Sequence, residues 1–330
     1  MGQRFLVTGG AGFVGSHLVA ALRSRGDAVV VFDNLSTGHR AAVPGDVPLI
    51  AADLADDDAI DAALASGFDG VFHFAALSIV GDSMRAPEQY FSANVGNSLR
   101  LIQACLRHDM RRLVFSSTAA LFGTPARIPI AEDDLIAPAS PYGESKRMVE
   151  AMLRWADQAH GLRYAALRYF NAAGCDPEGR LGEDHRPETH LIPLAIDAAL
   201  GRRPPLQVFG TDYATPDGTC IRDYVHVSDL AEAHLAAFAQ LGLRSVTYNL
   251  GSATGHSVRA VIASVELVSG RAVPHSFAPR RPGDPAALVA ASGRIAADTG
   301  WTPRLPALDD IVATAFAWRL AHPAGYGSVP

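Results

Sequence analysis

Tyr142 and Lys146 lie four residues apart at the start of a stretch with helical periodicity. Because side chains four residues apart project from the same face of a helix, the phenol and the ammonium should be neighbours. A free tyrosine has a pKa of about 10 and is a poor base near neutrality. A nearby positive charge stabilises the phenolate and lowers that pKa. The pair could therefore accept the proton of an alcohol, although it could also occupy an exposed helix face.

The numbers of lysine and arginine residues in the chain also single out Lys146. The sequence contains 28 lysine and arginine residues, and Lys146 is the only lysine among them. Chance is one explanation, since a single lysine must fall somewhere. The other is that position 146 needs a compact ammonium, which a planar guanidinium cannot replace.

Thr118 follows Ser116 and Ser117 at the end of an apolar run that predicts a strand. Ligands of open α/β sheets bind at the carboxyl ends of the strands. The Thr118 hydroxyl could therefore bind the oxygen of a reacting substrate, or it could cap the turn that follows.

A glycine-rich segment near the N-terminus predicts a dinucleotide site. Gly9, Gly12 and Gly15 are spaced G-x-x-G-x-x-G between a predicted strand and a predicted helix, which is the context in which such glycines bind a pyrophosphate. Asp33 ends the second predicted strand, 18 residues after Gly15. A carboxylate there accepts hydrogen bonds from the adenosine ribose and repels a 2′-phosphate, so NAD is expected rather than NADP. A glycine turn with a capping aspartate is the alternative.

These residues lie at the ends of alternating strands and helices, which predicts a parallel sheet covered on both faces. We expect an α/β fold with a Rossmann-type, doubly wound parallel sheet. The predicted strands are Phe5–Thr8, Ala28–Phe32, Pro48–Ala51, Gly70–Phe74, Leu113–Ser116 and Tyr164–Arg168. The predicted helices are Gly12–Arg25, Asp56–Ala65, Pro87–His108 and Tyr142–His160.

The second half of the chain predicts a smaller α/β C-terminal substrate domain. Residues 171–188 are rich in Gly, Pro and charge and predict a long loop, a kind of segment that is often functional. Helices are predicted at Leu191–Leu200 and Asp229–Leu241 and near the C-terminus, and strands at Leu206–Phe209, Ile221–Val227 and Val246–Leu250. We expect residues 1–170 to form the NAD-binding domain, with 222–251 returning to it, and 171–221 with 252–330 to bind the substrate.

Composition excludes several classes of partner. The net charge of −6 over 330 residues gives no overall basic field for nucleic acid or an anionic membrane. No apolar run approaches the roughly 20 residues of a membrane span. The three cysteines form no CxxC pair, which disfavours a disulfide framework or a zinc ribbon and favours a cytoplasmic protein.

The chain resembles the extended short-chain dehydrogenase/reductases, and most closely the UDP-galactose 4-epimerases, from Phe5 to about Tyr326. The resemblance rests on motifs that occur in the same order. They are Val7-Thr8-Gly9-Gly10-Ala11-Gly12, Phe32-Asp33-Asn34-Leu35, His73-Phe74-Ala75-Ala76, Ser140-Pro141-Tyr142-Gly143, Leu167-Arg168-Tyr169-Phe170-Asn171, Gly182-Glu183-Asp184, Asp217-Gly218-Thr219, Arg222-Asp223-Tyr224-Val225-His226-Val227 and Arg280-Arg281-Pro282-Gly283-Asp284.

The resemblance implies reversible epimerisation at C4 of UDP-glucose and UDP-galactose through a 4-keto intermediate, with NAD as the cofactor. It makes Tyr142 the base, Lys146 its pKa-lowering partner, and Thr118 the group that binds the reacting oxygen. NAD contacts are expected at Gly9, Gly12, Phe13, Val14, Gly15, Asp33, Asn34, Asp53, Leu54, Phe74, Ala75, Ala76, Asn94, Ser116, Tyr142, Lys146 and Tyr169. Substrate contacts are expected at Thr118, Tyr142, Asn171, His190, Leu191, Gln207, Phe209, Arg222, Arg281, Asp284 and Leu288.

Some of these positions admit another interpretation. Asp53 could cap a helix instead of reaching the adenine, and His190 stands where asparagine is also common in the family. No metal site is expected at His190, because no HExxH pattern or tight cluster of His, Cys and Asp is evident around it. The resemblance also implies a homodimer formed by the helices at Pro87–His108 and Tyr142–His160. Met148, Val149, Met152 and Leu153 give an apolar stripe that fits either a dimer or ordinary core packing.

Two alanines distinguish this chain from related enzymes that catalyse dehydration or decarboxylation. The 4,6-dehydratases carry an Asp-Glu pair directly after the catalytic threonine, and the decarboxylating UDP-glucuronate enzymes carry a glutamate at the second position. Ala119 and Ala120 stand here, and neither can move a proton. The open alternatives are an epimerase of UDP-glucuronate or UDP-xylose, a nucleotide-sugar dehydrogenase, and a non-enzymatic NAD-binding sensor.

Two departures from the family concern the substrate. Leu288 falls where glucose-only members often have tyrosine, so the pocket is expected to admit the 2-acetamido sugars UDP-GlcNAc and UDP-GalNAc as well. Ser78 stands where some members have a lysine, so the phosphate contact of that lysine is not expected here.

Overall fold

The computed structural model describes residues 2–281 and 284–327, and within them seven parallel strands form the largest sheet. Their spatial order is β10–β6–β5–β4–β1–β2–β3. The strands are β1 (Arg4–Thr8), β2 (Ala28–Asp33), β3 (Leu49–Ala51), β4 (Gly70–His73), β5 (Arg112–Thr118), β6 (Arg163–Tyr169) and β10 (Val246–Leu250). The order reverses between β1 and β4, where such sheets open a crevice for a ligand.

Helices cover both faces of this sheet because successive strand residues point to opposite sides. Phe5 and Val7 of β1 pack in one apolar core and Leu6 packs in the other. The first core lies under α1 (Phe13–Ser24), α8 (Val227–Gln240) and α10 (Gly293–Thr299). The second lies under α2 (Asp57–Leu64), α5 (Asn97–Arg107) and α6 (Pro141–His160). Between α2 and α5 the chain forms α3 (Val80–Arg85) and α4 (Pro87–Tyr90).

The remaining elements form a smaller α/β unit with its own apolar core. Its strands are β7 (Asn171–Ala173), β8 (Leu206–Phe209), β9 (Ile221–His226), β11 (Gly255–Ser257), β12 (His275–Ala278) and β13 (Ala287–Leu288). Strand β9 pairs with β7, β11 and β13, and β8 pairs with β12. The helices are α7 (Leu191–Ala199), α9 (Val258–Ser269) and α11 (Leu308–Ala321).

The predicted fold class is confirmed, and the structure corrects several elements. The helix predicted at Pro87–His108 contains a π-helical turn at Phe91–Gly96. The loop predicted at 171–188 begins with the short strand β7, which is too brief to show a period-2 pattern. Helix α9 was not predicted; its start is marked by Ser257, whose hydroxyl accepts a hydrogen bond from the Ala260 amide at 3.0 Å.

The domain division stays a proposal. Strand β9 belongs to the smaller sheet, whereas α8 and β10 continue the larger one. The chain thus crosses between the two units more than once. In the part of the chain that the structure describes, no helix combines the length and the apolar character that crossing a membrane requires.

Candidate active site

The glycine loop is packed too closely for side chains. A Cβ on Gly9, where φ is +71°, would lie 2.5 Å from the Ala75 amide nitrogen, and one on Gly15 would lie 2.2 Å from the Gly9 carbonyl oxygen. Gly12 immediately precedes α1, and no side chain of the described residues caps this helix. The first amides of α1 therefore remain available for an anion. This cradle fits the pyrophosphate of NAD, with Phe13 and Val14 in the first turn.

The carboxylate of Asp33 is held at the end of β2 beside the glycine loop. Its Oδ2 accepts a hydrogen bond from the Ala11 amide at 2.9 Å, and its Oδ1 accepts one from the Leu35 amide at 2.8 Å. Burial raises the pKa of Asp33, while these two hydrogen bonds oppose the shift. Each carboxylate oxygen keeps a further acceptor site, which suits the two hydroxyls of a ribose.

Asp53 does not cap the second helix. The cap of α2 is Asp56, whose Oδ1 accepts a hydrogen bond from the Ala59 amide at 3.0 Å. Asp53 instead accepts a hydrogen bond from the Asn34 side chain at 2.6 Å. The two residues thus lie together at the ends of β2 and β3. Leu54, the next residue, is buried in the core.

The loop after β4 is fixed by an asparagine. The Asn94 side chain accepts a hydrogen bond from the Leu77 amide at 2.8 Å and donates one to the Leu77 carbonyl at 3.0 Å. Phe74, Ala75 and Ala76 lie between β4 and this anchor, and the backbone of Phe74 and Ala75 lies against Gly9 of the glycine loop. The asparagine thus supports the backbone of the predicted NAD site as well as being a candidate contact.

Tyr142 and Lys146 lie in the first turns of α6. The helix is capped by Ser140, whose hydroxyl accepts a hydrogen bond from the Gly143 amide at 3.2 Å. Gly143 brings the helix close to the end of β5, since a Cβ there would lie 2.5 Å from the Ala120 carbonyl oxygen. The Lys146 ammonium is buried, lies 5.9 Å from the centre of the Tyr142 ring and donates a hydrogen bond to the Ser116 carbonyl at 2.8 Å. The two side chains are therefore neighbours.

Burial disfavours the charged form of both side chains. It raises the pKa of Tyr142, an effect that the hydroxyl of Thr118 partly offsets. It also lowers the pKa of Lys146 to about 7. The protein alone thus does not produce a phenolate near neutrality. A positive ring bound beside the phenol would supply the missing stabilisation.

Thr118 takes part in the turn that follows β5. Its Oγ1 accepts a hydrogen bond from the Ala120 amide at 3.1 Å, so the capping interpretation describes this structure. The hydroxyl proton remains available for donation to a substrate oxygen. Across the sheet, Thr118 is paired in register with Tyr169, whose hydroxyl is hydrogen-bonded to that of Ser116.

Apart from Thr118 and Tyr142, the predicted substrate residues fall into two groups. One lines a small pocket and contains Asn171, His190 and Leu191. The other surrounds β9, β13 and β8. In it Arg222 forms an ion pair with Asp284, and Leu288 is in register with Arg222. The Arg281 guanidinium lies 4.1 Å from the centre of the Phe209 ring. Gln207 is exposed on β8.

One motif residue has a structural role that the sequence did not reveal. Asp223 is fully buried and accepts hydrogen bonds from the Ser252, Ala253 and Ala290 amides at 2.8, 3.2 and 3.0 Å. It therefore joins β9 to the segments that follow β10 and β13. In this way it holds Arg222 in place.

The surroundings of His190 differ from the expectation that no tight cluster lies around it. The structure places it with Glu183, His185 and Glu188, so a tight cluster does surround it. The spacing E-x-H-x-x-E-x-H was the available signal. This spacing is not HExxH, and its acidic residues are glutamates rather than aspartates, so the patterns considered above do not include it.

Gly15→Ala should release the cofactor. The new Cβ would meet a backbone oxygen, which cannot move aside as a side chain could, so the loop and α1 must separate. We expect bound NAD per chain, measured after denaturation, to fall by at least about tenfold, as for a loss of about 1.4 kcal/mol. Gly45→Ala is the control, because a Cβ there meets nothing within 4 Å. Equal NAD retention by both variants would contradict the cradle.

This fold and this site define a class of protein. Residues 5–251 match the model of the NAD dependent epimerase/dehydratase family, and the chain belongs to that family. Within it, the chain is 50% identical over 332 residues to the UDP-glucose 4-epimerase of Azospirillum brasilense, across 99% of this chain and 95% of the relative.

Solved structures agree with this placement. The UDP-glucose 4-epimerase of Brucella ovis in complex with NAD is 44% identical, with a TM-score of 0.93 and coverage of 96% of this chain and 98% of that one. The Bifidobacterium longum UDP-glucose 4-epimerase in complex with NAD+ and UDP is 35% identical, with a TM-score of 0.93 and coverage of 98% and 99%.

Proposed function

We propose that this protein is an NAD-dependent UDP-glucose 4-epimerase that interconverts UDP-glucose and UDP-galactose. The observation that carries the proposal is the pairing of Tyr142 with a buried Lys146 on α6, beside the end of β5. The chain also aligns along nearly its whole length with enzymes of that name. The cofactor cradle lies at the same edge of the sheet. The parts required for a reversible oxidation of an alcohol are thus close together.

The residues divide the chemistry between them. Thr118 donates a hydrogen bond to the 4′-oxygen of the sugar, and Tyr142 takes the proton of that hydroxyl. Bound NAD supplies a reversible hydride acceptor for C4. Lys146 stabilises the phenolate and holds the nicotinamide ribose. Arg222 and Arg281 hold the UDP diphosphate, for which forked guanidinium donors are well suited.

Inversion at C4 follows from rotation of the 4-keto sugar about its diphosphate linkage. The sugar then presents its other face, and Tyr142 returns the proton as C4 is reduced. The side chains Ala119 and Ala120 leave this intermediate without a second acid or base, which disfavours dehydration. The reaction therefore ends in epimerisation.

The deciding experiment incubates the purified protein with UDP-glucose and no added cofactor, and separates the nucleotide sugars. Formation of UDP-galactose supports the proposal with resident NAD. If no product forms, even after NAD is supplied, the proposal is contradicted. UDP-glucuronate and UDP-xylose would then be tested as the substrates. Net accumulation of NADH would instead favour a dehydrogenase, and NAD binding without turnover of any UDP-sugar would favour a sensor.

We further propose that the sugar pocket admits 2-acetamido sugars. Leu288 lies on β13 beside Arg222, and leucine is shorter than tyrosine and lacks its hydroxyl. Leu288→Tyr should lower kcat/KM for UDP-GlcNAc by about 10–100-fold, as expected for a clash of 1–3 kcal/mol, and leave that for UDP-glucose within a few-fold. Leu288→Met conserves volume and should keep both activities. Unchanged UDP-GlcNAc turnover in the tyrosine variant would refute the idea.

We also propose a homodimer formed through α5 and α6. Val149 and Leu153 of the predicted stripe are core residues, but Leu99, Met148 and Trp155 are exposed on these helices. Trp155→Asp should convert a dimer of the 34.8 kDa chain to monomers in light scattering. Leu243→Asp is the control, since Leu243 is exposed beyond α8. A wild-type monomer would contradict the proposal.

A further inference from the structure

Four side chains of the loop that precedes α7 converge on one point. One ligand atom from each of Glu183, His185, Glu188 and His190 lies within 4.8 Å of all the others. From the His185 Nδ1, the carboxylate oxygens of Glu183 and Glu188 are 3.3 and 3.5 Å away. From the His190 Nδ1, they are 2.6 and 3.5 Å away. Two carboxylates and two imidazoles thus face a common centre.

Hydrogen bonds within the described residues satisfy only part of this cluster. The His190 Nδ1 is hydrogen-bonded to the Glu183 Oε1, and the Glu188 Oε1 accepts hydrogen bonds from the Thr189 and His190 amides. Glu188 is nine-tenths buried, and its Oε2 has no hydrogen-bond partner in the part of the chain that the structure describes. The His185 Nδ1 is likewise buried without one. Burying such atoms without a partner destabilises the fold, because neither water nor protein replaces the lost hydrogen bonds. A cluster of this kind is completed by a ligand that accepts electron pairs from both atoms.

The spacing of the ligand atoms suits a tetrahedral metal ion. Zinc is held by His nitrogen and carboxylate oxygen at about 2.0–2.2 Å, so neighbouring ligand atoms of a tetrahedron lie about 3.3–3.5 Å apart. The His185 Nδ1 lies 3.3 Å from the Glu183 Oε1 and 3.5 Å from the Glu188 Oε2. These two distances are long for hydrogen bonds and fit two edges of a zinc tetrahedron. The His190 Nδ1 is hydrogen-bonded to the Glu183 Oε1 at 2.6 Å, so zinc binding would lengthen this contact. Imidazole ligands also favour zinc over magnesium or calcium, which prefer oxygen.

We propose that Glu183, His185, Glu188 and His190 form a structural zinc site. The four protein ligands leave no open position, which is the mark of a structural rather than a catalytic zinc site. The two carboxylates balance the charge of the ion. The site adds nothing to the hydride chemistry and does not depend on the identity of the sugar substrate.

The competing occupant of the cluster is a pair of protons. Burial would lower the pKa of each histidine, but the carboxylates outweigh it and raise the pKa to about 9 for His185 and about 10 for His190. Two imidazolium ions would balance the carboxylates as a zinc ion does. They would nevertheless leave the His185 contacts at 3.3 and 3.5 Å without good hydrogen-bond geometry.

The location gives the ion a structural consequence. The His185 ring lies 6.1 Å from the ring of Phe13 in the first turn of α1. The His39 ring nitrogen contacts the Asp184 carbonyl oxygen at 2.8 Å. His190 immediately precedes α7 and lines the pocket that contains Asn171. A zinc ion would therefore fix the segment 183–190 between the cofactor loop and the substrate pocket.

The test uses the full chain without a histidine tag. Zinc should co-purify at about one ion per chain, and its removal with a chelator should lower the melting temperature until zinc is restored. Cobalt added to the stripped protein should give the intense visible absorption of a four-coordinate ion with nitrogen and oxygen ligands. Absence of zinc together with the faint spectrum of hydrated cobalt would overturn the proposal and leave protons as the occupant.

Variants assign the site to these residues. His185→Ala and Glu188→Gln should each weaken zinc binding by more than about 100-fold in calorimetry, because loss of outer-shell partners alone costs about 10–100-fold. Glu178→Gln changes an exposed carboxylate of the same loop and should bind zinc as the wild type does. If one variant does not fold, the other and the cobalt spectrum of the wild type decide. Equal affinity in all the variants would place the ion elsewhere and overturn the assignment.

Discussion

Replacing Tyr142 with phenylalanine should lower kcat for the conversion of UDP-glucose to UDP-galactose by about 10²–10⁴-fold, the usual contribution of a general base. The variant loses the only atom of this side chain that can accept the 4′-hydroxyl proton. The ring remains, so its edge-to-face packing 6.5 Å from the Tyr90 ring should persist. NAD content and melting temperature should stay near the wild-type values. The readouts are product formation under saturating UDP-glucose and NAD released per chain.

The control for this variant is Tyr164→Phe, which removes a hydroxyl from a half-buried residue of β6 that packs against the second apolar core. Its kcat should stay within about twofold of the wild type. If Tyr142→Phe keeps more than a tenth of the wild-type kcat, another group must take the proton and the assignment fails. A parallel loss in the Tyr164 variant would indicate that the hydroxyl deletions act through stability.

The sheet and the cofactor cradle could be predicted because their signals are local. Buried strands show as short β-branched runs, and the glycines of a dinucleotide loop must precede a helix at fixed spacing. The structure adds the reason for Gly9 and Gly15, which is the approach of Ala75 and of the loop's own backbone. The Tyr142–Lys146 spacing likewise needed only the period of a helix.

Features that depend on distant contacts could not be predicted in the same way. Position alone did not reveal that Asp56 rather than Asp53 caps α2, or that Asp223 ties β9 to segments 29 and 67 residues away. Strand β7 has three residues and exists because β9 pairs with it. The cluster at 183–190 forms in a loop without regular structure, so the E-x-H-x-x-E-x-H spacing gives its residue types but no helix or strand period that would bring the side chains together.

The other large effect is expected at Lys146, where activity and stability should change in opposite directions. Lys146→Met should lower kcat by about 10²-fold or more, because the phenolate of Tyr142 loses the adjacent positive charge. The same change should stabilise the cofactor-free protein. Burial lowers the pKa of this lysine from 10.5 to about 7, a shift that corresponds to a few kcal/mol of destabilisation of the charged form.

The sign of the pH dependence follows from this shift. Below pH 7 the ammonium is charged in both the folded and the unfolded chain, so the folded protein bears the full cost of burying it. Between pH 7 and 10.5 the unfolded chain binds more protons at this site, and stability therefore rises with pH. The methionine variant lacks this contribution. Its advantage should be largest near pH 6 and should shrink as the pH approaches 10.

Urea unfolding of the cofactor-free proteins at pH 6 and pH 9 measures this difference. We expect Lys146→Met to exceed the wild type by about 1–3 kcal/mol at pH 6, a range that allows for the hydrogen bond lost at the Ser116 carbonyl. Arg147→Met alters the exposed neighbour on α6 and should change stability by less than about 0.5 kcal/mol at either pH. If the methionine variant has a lower free energy of unfolding than the wild type at pH 6, Lys146 stabilises the fold and the prediction is wrong. A more stable but inactive variant would show that the fold tolerates this charge only because the reaction needs it.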